Sequence, residues 1–193
     1  MNPALMQLPA AFGLAGATGL NATLPLLIVS LLARLGLVHL APPYDALASD
    51  IAFWALLVLA IVEFAMDKVP ALDSVGHAVM LPLSIAAGAI LFASETGTVT
   101  SIDPGLSVVV SLLAGGAVSG TVHVARAAVR PVLNLAFLGP PVSLAEDAVS
   151  AALALAATLL PILVPFLLAL LVLGAILLWE RRRAVRPAAP IQR

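Results

Sequence analysis

The sequence predicts an all-α polytopic integral membrane helical bundle, with four clear spans plus broken or re-entrant segments near both ends. Three observations carry that expectation. Of 193 residues, 62% are apolar and only 10% charged, against roughly 25% charged in a soluble domain. Mean hydropathy is +1.15, and a water-soluble fold of this length lacks the interior to hide so much apolar surface. Charge-free runs approach or exceed the roughly 20 residues that cross a hydrocarbon core of about 30 Å.

In chain order, the first run reaches from Met1 to Ala33 and is closed by Arg34. It is too long for one plain helix and is interrupted by Gly13, Gly16, Gly19, Asn21 and Pro25. Residues Asn2–Gly19 read as a re-entrant or short segment, and Ala22–Leu40 as the span that follows. A second, short run, Ile51–Val62, continues into Glu63 and Asp67. A third covers Ser74–Ser94 and a fourth Pro104–Ala125. The last, Ala148–Trp179, would measure roughly 48 Å if straight, but Pro161 and Pro165 interrupt it. Turns or surface loops are expected at Ala41–Asp45, between Glu95 and Gly105, and at Gly139-Pro140-Pro141. Residues 1–180 thus form a single transmembrane domain, and 181–193 a short basic cytoplasmic tail.

Orientation follows from Lys and Arg in short loops. Tyr44–Asp50 and Glu95–Asp103 contain no basic residue and are placed outside. Lys68, Arg126, Arg130 and the Arg181-Arg182-Arg183 and Arg186 tail fall on the cytoplasmic side. That parity requires the last run to enter and return, turning at Pro161–Pro165; the alternative is one long, Pro-kinked helix with its tail outside. Weak echoes link the halves, such as Leu14-Ala15-Gly16 with Leu113-Ala114-Gly115. They suggest an internal duplication.

Several classes are excluded or left without support. A formal net charge of −1 argues against nucleic acid, whose phosphates need clustered cations. The absence of cysteine removes disulfide and thiolate chemistry. No basic residue precedes the first apolar run, so no signal peptide is expected, and Asn2 and Arg193 carry no lipidation signal. No nucleophile elbow, zinc-protease motif or P-loop occurs, so neither an enzyme nor a cofactor is expected. His39, His77 and His123 are scattered, which leaves a metal undecided.

The informative residues are ionisable ones at or inside span ends. Glu63 and Asp67 share one helix face, as do Asp73 and His77, on either side of Lys68-Val69-Pro70. The residue before a proline avoids helix, so the chain should turn at Val69 and bring both pairs to one end of a hairpin. His123, Arg126 and Arg130 share a face of the fourth span, and Asn134, Glu146 and Asp147 follow. One reading makes these groups structural, pairing acids with Lys68, Arg126 and Arg130 at the interface, where long side chains snorkel to water. The other makes them the lining of a polar cavity, because charges inside a span cost several kcal/mol and by default mark pathways or ligand sites. Five acids against three fixed bases suit a cation or proton. Either way, charge balance requires a carboxylate beside Arg126 or Arg130. Gly116–Gly120 is a GxxxG pattern that admits a close helix, read as intramolecular packing.

The string Glu63-Phe64-Ala65-Met66-Asp67-Lys68-Val69-Pro70-Ala71-Leu72-Asp73 resembles the signature of the bacterial membrane-protein family named domain of unknown function 4126. The likeness takes in Gly19–Pro25, His123 with Arg126, Arg130 and Asn134, and Ser143–Asp147, and so runs from about Gly13 to Trp179. At Asn21 the family commonly has a basic residue. The resemblance implies a small multi-pass protein of the bacterial inner membrane and supplies no activity. From the residues, the expected function is transport of a cation or proton-coupled solute. Glu63, Asp67, Asp73, His77, Glu146 and Asp147 would line the path. Lys68, Arg126 and Arg130 would serve as counter-charges, with Asn21, His123 and Asn134 as polar support. The partners expected are the bilayer, a small solute and further copies of the chain. The rival is a non-transporting assembly or scaffold protein whose buried charges are salt bridges.

Overall fold

A computed structural model of the chain describes residues 3–40, 42–96, 104–135, 138–167, 169–170, 173–174 and 176. The basic tail, with its expected cytoplasmic placement, lies outside them, as does most of the Glu95–Asp103 loop. The described residues are all-helical, without a strand. They comprise α1 (Pro3–Leu20), α2 (Leu24–Arg34), a 3-10 turn at Tyr44–Ala48, α3 (Asp50–Lys68) and α4 (Pro70–Thr96). Then come α5 (Pro104–Ser111), a π turn at Leu112–Gly116, α6 (Ala117–Leu135), α7 (Gly139–Leu159) and a 3-10 turn at Pro161–Leu163.

Among the described residues, three helices are long and apolar enough to cross a membrane: Gly76–Thr96, Val108–Leu135 and Gly139–Leu159. The expected fourth, around Ile51–Val62, lies in α3. That helix has the length, 19 residues, but carries Asp50, Glu63, Asp67 and Lys68, which sets it apart from the other three.

Side-chain pairings fix the directions. Phe12 stacks edge-on against Phe92 at a centroid distance of 5.1 Å, and Thr18 O accepts the Ser84 hydroxyl at 3.0 Å, so α1 runs antiparallel to α4. Arg34 pairs with Asp50 at 2.6 Å while Thr23 meets Glu63, so α2 runs antiparallel to α3. It follows that α1 and α2 form a hairpin whose two outer ends lie together, with its tip at Asn21–Thr23 inside the bundle. The sequence reading of a span over Ala22–Leu40 is corrected. Helix α2 has 11 residues, about 16 Å of rise, and stops in a Schellman cap. Gly36, at φ 70°, allows Leu37 N–H to reach Leu32 O at 3.0 Å, the left-handed turn that ends many helices.

The Val69 turn forms as the following proline dictates. Val69 is extended (φ −105°, ψ 106°), and Pro70 opens α4. Gly139-Pro140-Pro141, expected as a loop, instead makes the first turn of α7, where missing N–H groups cost nothing. Glu95 and Thr96, also assigned to a loop, complete α4. The tail of α6 likewise extends past Ala125 to Leu135, so Arg126 and Arg130 sit within a helix rather than beyond its end.

Close backbone approach joins α1, α4 and α6. A methyl group at Gly88 would lie 2.5 Å from Ser119 Cβ and 2.7 Å from Gly115 O, and one at Gly19 would lie 2.5 Å from Val122 Cβ. Gly116 and Gly120 both face Ile85, so the GxxxG pattern serves packing of α6 on α4 within the chain. Buried Leu14, Leu26, Val29, Leu56, Leu91, Leu153 and Val164 form the main core.

The last run breaks at Leu160, where φ −139° and ψ 61° leave the helix. Beyond it, Leu167 and Leu170 share one apolar cavity with Val149, Ala152 and Leu153. A straight helix would place Leu170 about 31 Å from Val149. The chain therefore reverses at Pro161–Leu163, and Val164 and Ala157 both close against Gly13.

Candidate functional site

Asn21 interrupts the first apolar run, and the helix that resumes at Leu24 needs its first N–H groups satisfied. Asn21, Ala22 and Thr23 are buried in the bundle, so protein groups must satisfy those N–H groups. Asn21 Oδ1 accepts from Thr23 N at 3.2 Å and Leu24 N at 2.8 Å. Glu63, reaching across from α3, accepts from Ala22 N at 2.8 Å, Thr23 N at 3.0 Å and the Thr23 hydroxyl at 2.7 Å. Its side chain is 1% exposed. The partial positive charge of a helix N-terminus favours an anion there, and here the chain supplies its own.

One turn further along α3, Asp67 pairs with Arg126 of α6. Arg126 Nε also donates to Glu146 of α7 at 2.7 Å. Glu146 bridges to Arg130, whose second amino group donates to Gly139 O at 3.3 Å. Lys68 donates to Asp147 and to the Ser143 hydroxyl, both at 2.7 Å, and Asn21 Nδ2 donates to the other Asp147 oxygen at 3.0 Å. Asn21 thus joins the Glu63 cap to the Lys68–Asp147 pair. The carboxylate expected beside Arg126 or Arg130 is present twice, as Asp67 and Glu146. Arg126 and Arg130 are 7% and 1% exposed. They are buried in the bundle and do not snorkel to an interface, because Asp67 of α3 and Glu146 and Asp147 of α7 meet them and Lys68 there.

One turn back along α6, His123 lies against His77 of α4, with ring centroids 5.2 Å apart, and its Nε2 contacts His77 O at 3.0 Å. Beyond it, Ser119, Ser84 and Thr18 form a hydroxyl cluster at the three-helix crossing, with oxygens 2.7 and 3.0 Å apart. Asn134 approaches Gly139 at the α6–α7 connection. The Asp73 side chain lies outside the described residues.

Sequence reasoning gave no site role to Thr23 or Ser143, which fall within the strings that carry the family resemblance, and did not find the Thr18–Ser84–Ser119 cluster. Thr23 carried a signal, since a Thr just ahead of Leu24-Pro25 is a helix-start pattern. Ser143 sits four residues before Asp147 on one face of α7. The hydroxyl cluster carried none, being assembled from three distant segments. Among the described residues, no three His, Asp or Glu side chains gather at metal-binding spacing.

Compared with known proteins, the chain matches the family described as domain of unknown function (DUF4126) over residues 8–181. No curated protein and no solved structure matches it.

Proposed function

This chain belongs to the DUF4126 family, whose description carries no activity, and we propose from its site alone that it is a small proton-coupled transport protein. It acts as a carrier or channel rather than an enzyme, in a bacterial inner membrane and as a homo-oligomer. In this reading α3 is a fourth crossing whose charges are covered by α6, α7 and the tip of the α1–α2 hairpin. One observation carries the proposal: a broken helix, inside an apolar bundle, opens onto a connected set of buried acids and bases. Non-helical backbone at membrane depth is tolerated where it is covered by protein or lines a cavity, and transporters place their sites at such breaks.

The chemistry favours a proton over a metal cation. Glu63, Asp67, Glu146 and Asp147 each already accept from cationic groups or N–H and O–H donors. A metal cation would have to displace those donors, whereas a proton needs only a lone pair. The same charges would also serve a scaffold that moves nothing. Proteoliposomes holding a pH-sensitive dye separate the two. The purified protein is expected to dissipate an imposed pH gradient, and Asp67→Asn, which leaves Arg126 paired with Glu146, to slow it while remaining folded. No flux from the unmodified protein under proton or cation gradients overturns transport.

A further inference from the structure

Among the groups gathered at this site, one buried imidazole nitrogen has a lone pair and nothing to share it with. His123 is 1% exposed. Its Nε2 lies 3.0 Å from the His77 carbonyl oxygen, and a carbonyl only accepts. The proton of the neutral ring therefore sits on Nε2, and Nδ1 is a bare acceptor. That Nδ1 has no hydrogen-bond partner among the described residues. Buried polar atoms are nearly always paired, so an orphaned acceptor points to something that arrives.

The surroundings select what arrives. Facing His123 are His77 from α4, Asp67 from α3 and Arg126 on its own helix. Helix α1, also packed on α6, has no ionisable side chain. Glu146 of α7 acts through Arg126, which it accepts from. Among the described residues, four carboxylates (Glu63, Asp67, Glu146 and Asp147) stand in one connected set with three cationic side chains (Lys68, Arg126 and Arg130). These described groups carry a surplus of negative charge, partly offset at Glu63 by the α2 N-terminus. An added positive charge is favoured beside that surplus. His123 also stands between the Ser84–Ser119–Thr18 hydroxyls and the Asp67–Arg126 pair, so it has proton-carrying groups on both sides along α6.

We propose that His123 is the proton-binding group of this site, taking up a proton at Nδ1 while Nε2 keeps its bond to the His77 carbonyl. In uptake the Nδ1 lone pair forms an N–H bond as an O–H bond of hydronium, or of a hydronium-fed hydroxyl chain, breaks. Release reverses both changes, and the imidazolium charge between them is balanced by the surplus carboxylate. The inference rests on the transport reading for its purpose, but not for its test.

The test is a nitrogen NMR titration of the full chain, labelled at histidine and held in lipid nanodiscs. The pH range runs from about 8 to about 4, bracketing the ordinary imidazole value of about 6.5. The resonance that survives both His39→Asn and His77→Asn belongs to His123. Its Nδ1 is expected to start in the unprotonated position and move to the protonated one as pH falls, while Nε2 stays protonated throughout. Nδ1 unprotonated across the whole range, or protonated at the start, overturns the inference. In proteoliposomes, His123→Asn is expected to lower proton flux about 100-fold, the scale of a positioned proton-transfer group; undiminished flux in that variant also overturns it. A titrating Nδ1 with no flux from the unmodified protein supports the proton site and removes transport.

Discussion

The Glu63 carboxylate sits on the broken end of a neighbouring helix, accepting both the backbone N–H of Thr23 at 3.0 Å and its hydroxyl at 2.7 Å. An acid with almost no exposure is thereby held by a half-helix, with no cationic partner among the described residues. Glu63→Ala would orphan those donors and Ala22 N–H, and each buried unsatisfied donor costs about 1–3 kcal/mol. The expected loss is about 3 kcal/mol or more, read as a lower unfolding temperature in detergent. Glu63→Gln keeps one acceptor oxygen and should lose about half as much. An Ala variant as stable as the unmodified protein would show that the tip is held by other contacts.

The two shared carboxylates of the α6 arginines are not equivalent. Glu146 serves both Arg126 and Arg130, whereas Asp67 pairs with Arg126 and is 3.9 Å from Arg130. Removing one acid of a buried pair costs about 3–5 kcal/mol, because its partner charge loses compensation. Glu146→Gln is expected to fall in that range and Asp67→Asn well below it. Equal losses, measured by thermal unfolding, would mean that Glu146 does not bridge the two guanidinium groups.

Packing at the α4–α6 crossing gives a third expectation. Gly88→Ala would set a methyl group 2.7 Å from the Gly115 carbonyl oxygen, a backbone atom that cannot rotate away. Overpacking of this kind costs about 1–3 kcal/mol. A methyl group at Gly174 would meet nothing within 4 Å among the described residues, and alanine there should be neutral or stabilising by up to about 1 kcal/mol through helix propensity. Gly88→Ala no worse than Gly174→Ala would contradict the close crossing.

Much of the site was legible because helical spacing survives folding. Glu63 with Asp67, and His123 with Arg126 and Arg130, were placed on shared faces from position alone, and low dielectric required those faces to meet. What the sequence concealed was depth and direction. Arg126 read as the end of a span because a charge closed the apolar run, yet α6 continues for nine residues beyond it. Acids from two other helices meet its charge there. Asn21 was legible as a break, but the return of α2 to the side from which α1 entered depends on pairing with α3, through Thr23–Glu63 at one end and Arg34–Asp50 at the other. No local pattern encodes that pairing. Gly139-Pro140-Pro141 misled for a simpler reason, since the residues that end helices also start them.

The chain reversal after α7 is testable without disturbing the charges, because the protein contains no cysteine. Leu170 lines the same apolar cavity as Val149, although 21 positions separate them in the chain. Cysteines introduced as Val149→Cys and Leu170→Cys should therefore be joined by a short bis-maleimide within one chain, shown by a shift in mobility on a denaturing gel. A continuous helix would separate the two thiols by about 31 Å, beyond the reach of such a reagent. The pair Val149→Cys and Leu159→Cys, both on α7, supplies the negative control, being about 15 Å apart along one helix axis. Crosslinking of the first pair and not the second is the expected outcome. Failure of the first pair, with both thiols shown reactive toward a monofunctional maleimide, would replace the hairpin with a single kinked helix.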